Sequence, residues 1–93
     1  MKARYRLRTI VCGRVQGVGF RYFVCRLAEE FPVTGYVRNL PNGDVEIVAE
    51  GEQAVVEEFQ ARAGNGPSYA RIIEVRSYLE PPEGNYDSFG ISR

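Results

Sequence analysis

The chain has 93 residues, with 12 lysines and arginines balanced by 12 aspartates and glutamates, so its formal net charge is zero. This length suits one domain with a modest core, and we expect residues 1–93 to form a single domain. Neutrality argues against a protein whose main task is to coat nucleic acid. The absence of histidine excludes Ser-His and Cys-His nucleophile pairs and any zinc site that needs a histidine ligand.

The cysteines and the N-terminal segment favour a cytoplasmic protein. Cys12 and Cys25 lack C-x-x-C spacing and cannot form a zinc site alone, so we expect small buried hydrophobic side chains rather than a disulfide. Residues 1–8 are too basic for a signal peptide and contain no apolar run. No apolar run approaches membrane-spanning length, so we expect no membrane partner.

Along residues 4–13, a mostly apolar set of side chains alternates with a set that begins with three arginines, and this alternation predicts a β-strand. The face predicted to point into the core carries Tyr5, Leu7, Thr9, Val11 and Gly13. The opposite face, predicted to be largely solvated, carries Arg4, Arg6, Arg8, Ile10 and Cys12. We interpret these arginines as a solvated sheet face in preference to a stripe that binds nucleic acid.

The stretch G-R-V-Q-G-V-G-F-R, Gly13 to Arg21, follows this strand and leads into a helix-like segment. The first N–H groups of a helix have no internal partner and carry partial positive charge, so they favour an anion. Gly13, Gly17 and Gly19 permit positive φ and a close approach of the backbone to a ligand. Arg21 adds a charged fork that can donate two hydrogen bonds to a phosphate. The alternative is an ordinary turn followed by a solvated arginine.

The next segments predict a helix and a hairpin. Residues 20–31 space their apolar side chains as a helix does, and Pro32 is predicted to end it. Residues 33–40 and 44–51 are β-rich and flank the hairpin-turn sequence Pro41-Asn42-Gly43. The side chains predicted to face outward from the second of these strands are Asp44, Glu46, Val48 and Glu50.

The rest of the chain predicts one more helix and two more strands. The helix opens near Gly51 and ends at Gly64-Asn65-Gly66-Pro67. Residues 70–79 form the next strand, and residues 88–92 form a short last strand. On the strand of residues 70–79, the side chains of Ile73 and Val75 are predicted to point inward. The side chain of Arg71 is predicted to point outward.

The order β-α-β-β-α-β with a short final strand indicates an α+β fold. Two helices can bury their apolar stripes only against a sheet, and one sheet face is apolar. We predict a two-layer ferredoxin-like sandwich with a mainly antiparallel sheet and both helices on one face. Strand 1 then neighbours strand 3, with strand 2 beyond it, so the glycine-rich stretch, Arg21 and Asn39 share one corner.

Backbone N–H groups and Arg21 at this corner would hold a phosphoryl group and neutralise its charge. Asn39 carries a donor and an acceptor and cannot ionise, so it can orient a water but cannot remove its proton outright. The sequence offers no obvious general base, which favours catalysis by positioning and electrostatics. Such a site suits a good leaving group, as in a mixed carboxylic–phosphoric anhydride whose own phosphate could accept the proton of the water.

The sequence resembles the acylphosphatase family over nearly its whole length. The stretch G-R-V-Q-G-V-G-F-R is similar to the family's first signature, and G-Y-V-R-N-L-P-N-G-D-V-E, Gly35 to Glu46, is similar to its second. The segments A-R-I-I-E-V and F-G-I-S resemble its fourth strand and its C-terminal strand. Small departures are Tyr36, where the family often has tryptophan, and Asn42, where it often has aspartate.

This resemblance implies hydrolysis of acyl phosphates to a carboxylate and inorganic phosphate, with no metal and no organic cofactor. It implies that Arg21 is the catalytic arginine that binds the phosphate and that Asn39 orients the attacking water. The residues whose backbone N–H groups would form the cradle are Gln16, Gly17, Val18, Gly19 and Phe20. The expected partners are an acyl phosphate substrate and its phosphate product, without nucleic acid, and we expect a monomer.

Two other functions are compatible with parts of the sequence. The RNA-recognition motif shares this element order, but the third strand here, D-V-E-I-V-A-E, is acidic and lacks aromatic side chains to stack on bases. A non-catalytic phosphate sensor or regulatory domain, similar to the acylphosphatase-like module of carbamoyl-transfer maturation proteins, would bind phosphate without turnover. The presence of both Arg21 and Asn39 favours catalysis over such a module.

Overall fold

The computed structural model describes residues 4–17 and 19–92 of the chain. Its elements are β1 (Tyr5–Arg14), α1 (Phe20–Ala28), β2 (Thr34–Asn39), β3 (Val45–Gly51), α2 (Gln53–Asn65), β4 (Arg71–Glu80) and β5 (Phe89–Ile91). The predicted α+β fold class is confirmed, because these elements form a mixed sheet with two helices in the ferredoxin-like order.

The sheet has the strand order β4-β1-β3-β2-β5. β3 pairs antiparallel with both β1 and β2, so these two flanking strands run in the same direction. The register aligns Val11 of β1 with Val45 of β3, and Val45 with Asn39 of β2. The loop after β1 and the end of β2 therefore lie at the same end of the sheet, as the sequence predicted.

Both helices bury their apolar stripes against one face of this sheet. Val24 of α1 and Phe59 of α2 are fully buried in one cluster with the sheet residues Val11, Val37, Ile47 and Ala49. The Phe59 ring contacts the rings of Phe31 and Phe89, with centroids 5.7 Å and 5.3 Å away. This packing fixes α1 relative to the sheet, and with it the helix N-terminus that follows the glycine-rich loop.

α1 ends earlier than the sequence predicts, whereas α2 ends within the predicted segment. α1 ends at Ala28 instead of residue 31, because Glu29 to Phe31 donate their N–H groups to carbonyls three residues earlier, in a tighter turn. Pro32 contributes, since the residue before a proline disfavours the α conformation. α2 continues through Gly64 to Asn65, and Gly66, with φ 65°, follows as its C-cap.

A β-bulge changes which side chains of β4 point inward. The register pairs Cys12 with Glu74 and then Gly13 with Ile72, which leaves Ile73 without a partner on β1. Ile73 is consequently 77% exposed, and the prediction that it faces the core is wrong. Ile72 packs against the core in its place.

β4 is also an edge strand that α2 covers only in part. Val75, predicted to face inward, approaches α2 closely enough that a Cβ on Gly64 would lie 3.3 Å from it. It is nevertheless 44% exposed, since α2 covers only part of the strand. Arg71 is exposed, as predicted.

The face of the sheet away from the helices is not the solvated surface that the sequence predicted. The side chains on it that are at most 5% exposed are Arg6, Ile10, Glu46, Val48 and Glu50. Arg6 donates hydrogen bonds to Glu50 at 2.9 Å and to Glu80 at 3.0 Å. Arg38 donates to Glu46 at 2.6 Å. The alternation identifies the face correctly, but its charged side chains pair across strands and cover it.

The segment between β4 and β5 explains the burial of Glu50. These two strands lie at opposite edges of the sheet, so the chain that joins them must cross the others. On the way, the backbone N–H groups of Glu83 and Gly84 donate to the Glu50 carboxylate at 2.8 Å and 2.9 Å. The carboxylate therefore accepts bonds from both Arg6 and the crossing segment.

Glu50→Gln should lower the free energy of unfolding by about 3 kcal/mol near neutral pH, because it breaks a buried ion pair with Arg6. Burial acts to raise the pKa of Glu50, but the N–H donors of Glu83 and Gly84 and the Arg6 guanidinium outweigh it and lower that pKa. A lowered pKa stabilises the fold above the unfolded-state value and ceases to do so as the pH falls through the folded-state value. Urea unfolding should show the difference from wild type shrinking below about pH 4.

The matched control is Glu58→Gln, at an exposed position of α2. It should change the free energy of unfolding by less than about 0.5 kcal/mol at every pH. Equal losses in the two variants, or a Glu50→Gln loss that does not depend on pH, would contradict this account of Glu50.

Candidate active site

The loop after β1 presents a helix N-terminus without a side-chain cap. Val15 and Phe20, each 1% exposed, anchor the two ends of this loop in the core. Gly19 is the N-cap residue of α1, in the left-handed conformation with φ 78°. The first bond of the helix runs from the Phe23 N–H to the Gly19 carbonyl at 3.0 Å. The N–H groups before it have no partner within the helix and suit an anion.

The glycines of the loop serve two different purposes. Gly17 and Gly19 have φ values of 75° and 78°, which other residues rarely adopt. A Cβ on Gly17 would meet no described atom within 4 Å, so this residue faces open space that a ligand can enter. Gly13, which the sequence assigned to the ligand surface, instead lets β4 approach β1, because a Cβ there would collide with the Arg71 carbonyl.

The side chain of Gln16 ties the loop to the hairpin that carries Asn39. Its Nε2 group donates to the Leu40 carbonyl and to the Asp44 carbonyl, each at 2.8 Å. These two residues close the β2–β3 turn, where the Leu40 N–H donates to the Asp44 carbonyl at 2.8 Å. One carboxamide therefore fixes the loop relative to the end of β2.

One cavity of about 240 Å³ lies between these elements. It is lined by Val15, Gly17, Gly19, Phe20, Arg21, Tyr22 and Asn39. Five of the predicted site residues, Gly17, Gly19, Phe20, Arg21 and Asn39, thus come together. Gln16 lies outside the lining and acts through its side chain, and Val18 falls outside the described residues.

Asn39 contributes an unpartnered acceptor to this cavity. Its Oδ1 atom is buried and accepts no hydrogen bond from any residue that the structure describes. Buried acceptors are nearly always paired, so a water or a ligand group is the expected donor. The position follows from the register, since Asn39 pairs with Val45 at the end of β2.

Arg21 is the charged side chain of the lining. It is half-buried and forms no ion pair within residues 4–17 and 19–92, so its guanidinium is available to an anion.

The structure offers neither a disulfide nor a metal site among the residues that it describes. Burial and the charge of Glu29 raise the pKa of the Cys25 thiol, and the opposing effect of Arg21 is smaller. Cys12 and Cys25 are both free. Nowhere in the described ranges do three or more His, Cys, Asp or Glu side chains group so that they could hold a metal ion.

Comparison with known proteins identifies the family of this site. The family model for acylphosphatase matches residues 7–91. The chain belongs to the acylphosphatase family. The acylphosphatase of Methanospirillum hungatei is 59% identical over 88 residues, covering 95% of this chain and 97% of that protein. The acylphosphatase of Moorella thermoacetica is 49% identical over 79 residues, covering 85% of each.

A solved acylphosphatase has the same fold. The crystal structure of the Bacillus subtilis acylphosphatase superposes with a TM-score of 0.88 at 35% identity, covering 96% of this chain and 99% of that one. As a member of the acylphosphatase family, the chain is a hydrolase that acts on acyl phosphates. Neither of its described helices is long and apolar enough to cross a membrane.

Gln16→Leu should loosen the acylphosphatase loop without removing any group from the cavity lining. Loss of two hydrogen bonds should lower the free energy of unfolding by about 1–3 kcal/mol, because each contributes about 0.5–1.5 kcal/mol. Inorganic phosphate should also bind more weakly, since the predicted N–H cradle is no longer held against the hairpin. Urea unfolding and isothermal titration with phosphate measure the two effects.

Gln53→Leu is the matched control, because the Gln53 side chain donates to Glu57 at an exposed position far from the cavity. It should leave phosphate affinity unchanged. If Gln16→Leu also left that affinity unchanged, the carboxamide of Gln16 would not be what positions the cradle.

Proposed function

We propose that the chain hydrolyses the carboxyl–phosphate bond of acyl phosphates by direct attack of a water molecule, without a metal ion. The observation that carries this proposal is the convergence of three features on one cavity. An uncapped helix N-terminus, the unpaired guanidinium of Arg21 and the unpartnered Oδ1 of Asn39 all line it. The first two suit a phosphoryl group, and the third suits a water.

The phosphoryl group binds at the loop. The backbone N–H groups of residues 16–20 donate to its oxygens, and the positive end of the α1 dipole favours its charge. Arg21 donates two parallel hydrogen bonds and neutralises the charge that builds up in the transition state. Because the glycine backbone and the buried Val15 and Phe20 hold these donors in place beforehand, little reorganisation accompanies the reaction.

The water binds at Asn39, whose Oδ1 accepts a hydrogen bond from it and directs its oxygen at phosphorus. The water oxygen forms a bond to phosphorus as the bond from phosphorus to the acyl oxygen breaks. A carboxylate leaves with the electron pair of that bond. The proton of the water passes to a non-bridging oxygen of the phosphoryl group, so the products are a carboxylate and inorganic phosphate.

This chemistry needs no general base from the protein, and the cavity lining has no carboxylate to serve as one. The departing carboxylate is weakly basic and needs no general acid. The rate enhancement then comes from positioning and electrostatics, and an activated anhydride needs an enhancement near the low end for enzymes, about 8 kcal/mol.

We also propose that the functional unit is a monomer made of one domain, residues 1–93, in the cytoplasm. Support for one domain comes from the sheet and core, to which both halves of the chain contribute. The free thiols of Cys12 and Cys25 suit a reducing compartment.

Turnover of a synthetic acyl phosphate by the purified protein, with EDTA present, tests the proposal. Wild type should hydrolyse it rapidly. Arg21→Lys keeps the charge but loses the planar fork, so kcat/KM should fall at least about a hundredfold and inorganic phosphate should inhibit more weakly. Arg26→Lys, in the last turn of the same helix, is the matched control and should behave as wild type.

If Arg21→Lys retains most of the wild-type kcat/KM, the phosphoryl group is not held by two hydrogen bonds from a planar guanidinium. If a folded wild type binds phosphate without turning over the substrate, the protein is a phosphate sensor. If it does neither, the cavity is not a phosphate site.

Asn39→Ala should separate catalysis from phosphate binding. Because the proposed partner of Asn39 is the water, kcat should fall about a hundredfold or more while inhibition by inorganic phosphate changes by less than about twofold. Steady-state kinetics with phosphate as inhibitor measures both quantities. Asn85→Ala, at an exposed position, is the control. A parallel loss of phosphate affinity in Asn39→Ala would assign Asn39 to the phosphate cradle instead.

A further inference from the structure

Two tyrosines differ from all other aromatic residues of the chain. Of its 6 tyrosines and 5 phenylalanines, all but Tyr22 and Tyr69 have a ring contact, a hydrogen bond or a stacked arginine within the described residues. Tyr22 is 70% exposed and Tyr69 is 63% exposed. Even Tyr78, on the opposite face of the sheet, has the Arg8 guanidinium 4.8 Å from its ring centroid. Neither Tyr22 nor Tyr69 is held by the fold in this way.

Both unpartnered tyrosines lie at the catalytic cavity. Tyr22 is part of its lining, next to Arg21 on α1. Tyr69 approaches from the loop before β4, where its hydroxyl lies 3.3 Å from the position of a Cβ on Gly19. Exposed aromatic rings without partners are unfavourable in water and are typical of surfaces that receive a ligand. The two rings therefore present apolar surface to a ligand that enters the cavity.

The proposed catalytic groups account for the phosphoryl half of the substrate only. The N–H cradle, Arg21 and Asn39 all act on the phosphoryl group or the water, and no group among them contacts the acyl half. The cavity of about 240 Å³ holds the phosphoryl group and the water at the loop and Asn39 in this proposal, so the acyl half lies toward the rest of the lining and the mouth. The surface it meets there carries Tyr22, which is in the lining, and Tyr69, which lies over Gly19.

We propose that Tyr22 and Tyr69 bind the acyl group and make the enzyme selective for acyl phosphates with an aromatic or other planar apolar acyl group over acetyl phosphate. A flat acyl group stacks on the exposed Tyr22 ring or meets it edge to face, as aromatic pairs do in proteins. Acetyl phosphate offers only a methyl group for such contact. This inference rests on the proposed function, since it assigns the acyl half of the same substrate.

The test measures kcat/KM for benzoyl phosphate and for acetyl phosphate in wild type and three variants. Tyr22→Ala should lower the value for benzoyl phosphate about fivefold and the value for acetyl phosphate less than about twofold. Tyr69→Ala should show the same selective loss, and Tyr22→Phe should keep the wild-type ratio because it keeps the ring. Inhibition by inorganic phosphate should be unchanged in all three variants.

Tyr78→Ala is the matched control, because it removes an exposed tyrosine from the opposite face of the sheet. Its ratio of the two kcat/KM values should equal that of wild type. The ratio cancels any loss of folded protein in a variant, and its comparison with the wild-type ratio cancels the different intrinsic reactivities of the two substrates. Tyr22→Leu, which keeps an apolar but non-planar side chain at the site, should give an intermediate ratio.

Equal losses on both substrates in Tyr22→Ala, or no loss on either, would overturn the assignment while leaving acyl phosphate hydrolysis intact. A loss of phosphate inhibition in Tyr22→Ala would also overturn it, because the ring would then act on the phosphoryl end. A folded wild type that hydrolyses neither substrate would overturn the proposed function, and this inference with it.

Discussion

The geometry of the site depends on the hydrogen bonds that the carboxamide of Gln16 donates. The sheet brings the loop after β1 and the end of β2 to the same end, but strands alone leave them about 10 Å apart across β3. Gln16 closes that gap with bonds to the Leu40 and Asp44 carbonyls at 2.8 Å each. The proposed mechanism works by positioning and needs the proposed phosphate donors and Asn39 in a fixed relation, which this side chain would provide.

Local signals in the sequence were sufficient to predict the fold. Alternation, the break at Pro32 and the Asn42-Gly43 turn each act over a few residues, and the resulting element order admits few arrangements. What the sequence could not predict depends on distant parts of the chain. The bulge that exposes Ile73 arises from pairing with β1, and the burial of Glu50 requires the Glu83 N–H, 33 residues further on. No window of local sequence contains either partner.

The residues that line the cavity were predicted more completely than the outer face of the sheet, for a physical reason. The proposed phosphate loop consists mainly of backbone, and its glycines are visible in the sequence because the positive φ values of Gly17 and Gly19 restrict which residues fit. The role of the Gln16 side chain was missed, because its partners are carbonyl groups, which every residue has. Tyr22 was missed because an exposed tyrosine on a helix has no distinguishing pattern until the cavity is seen.

The two ends of the cavity are built in opposite ways, and this difference suits the reaction. At the end proposed for the phosphoryl group, Val15 and Phe20 are buried and the loop is hydrogen-bonded to the hairpin, which would hold the donors in a fixed geometry. At the end proposed for the acyl group, the rings of Tyr22 and Tyr69 have no partner in the part of the chain that the structure describes, which would let them turn to meet acyl groups of different shape. Electrostatic stabilisation of the transition state is lost when donors must reorganise, whereas apolar contact with a leaving group tolerates movement. In the proposed mechanism, the rigid end is therefore where charge develops, and the less constrained end is where the product carboxylate departs.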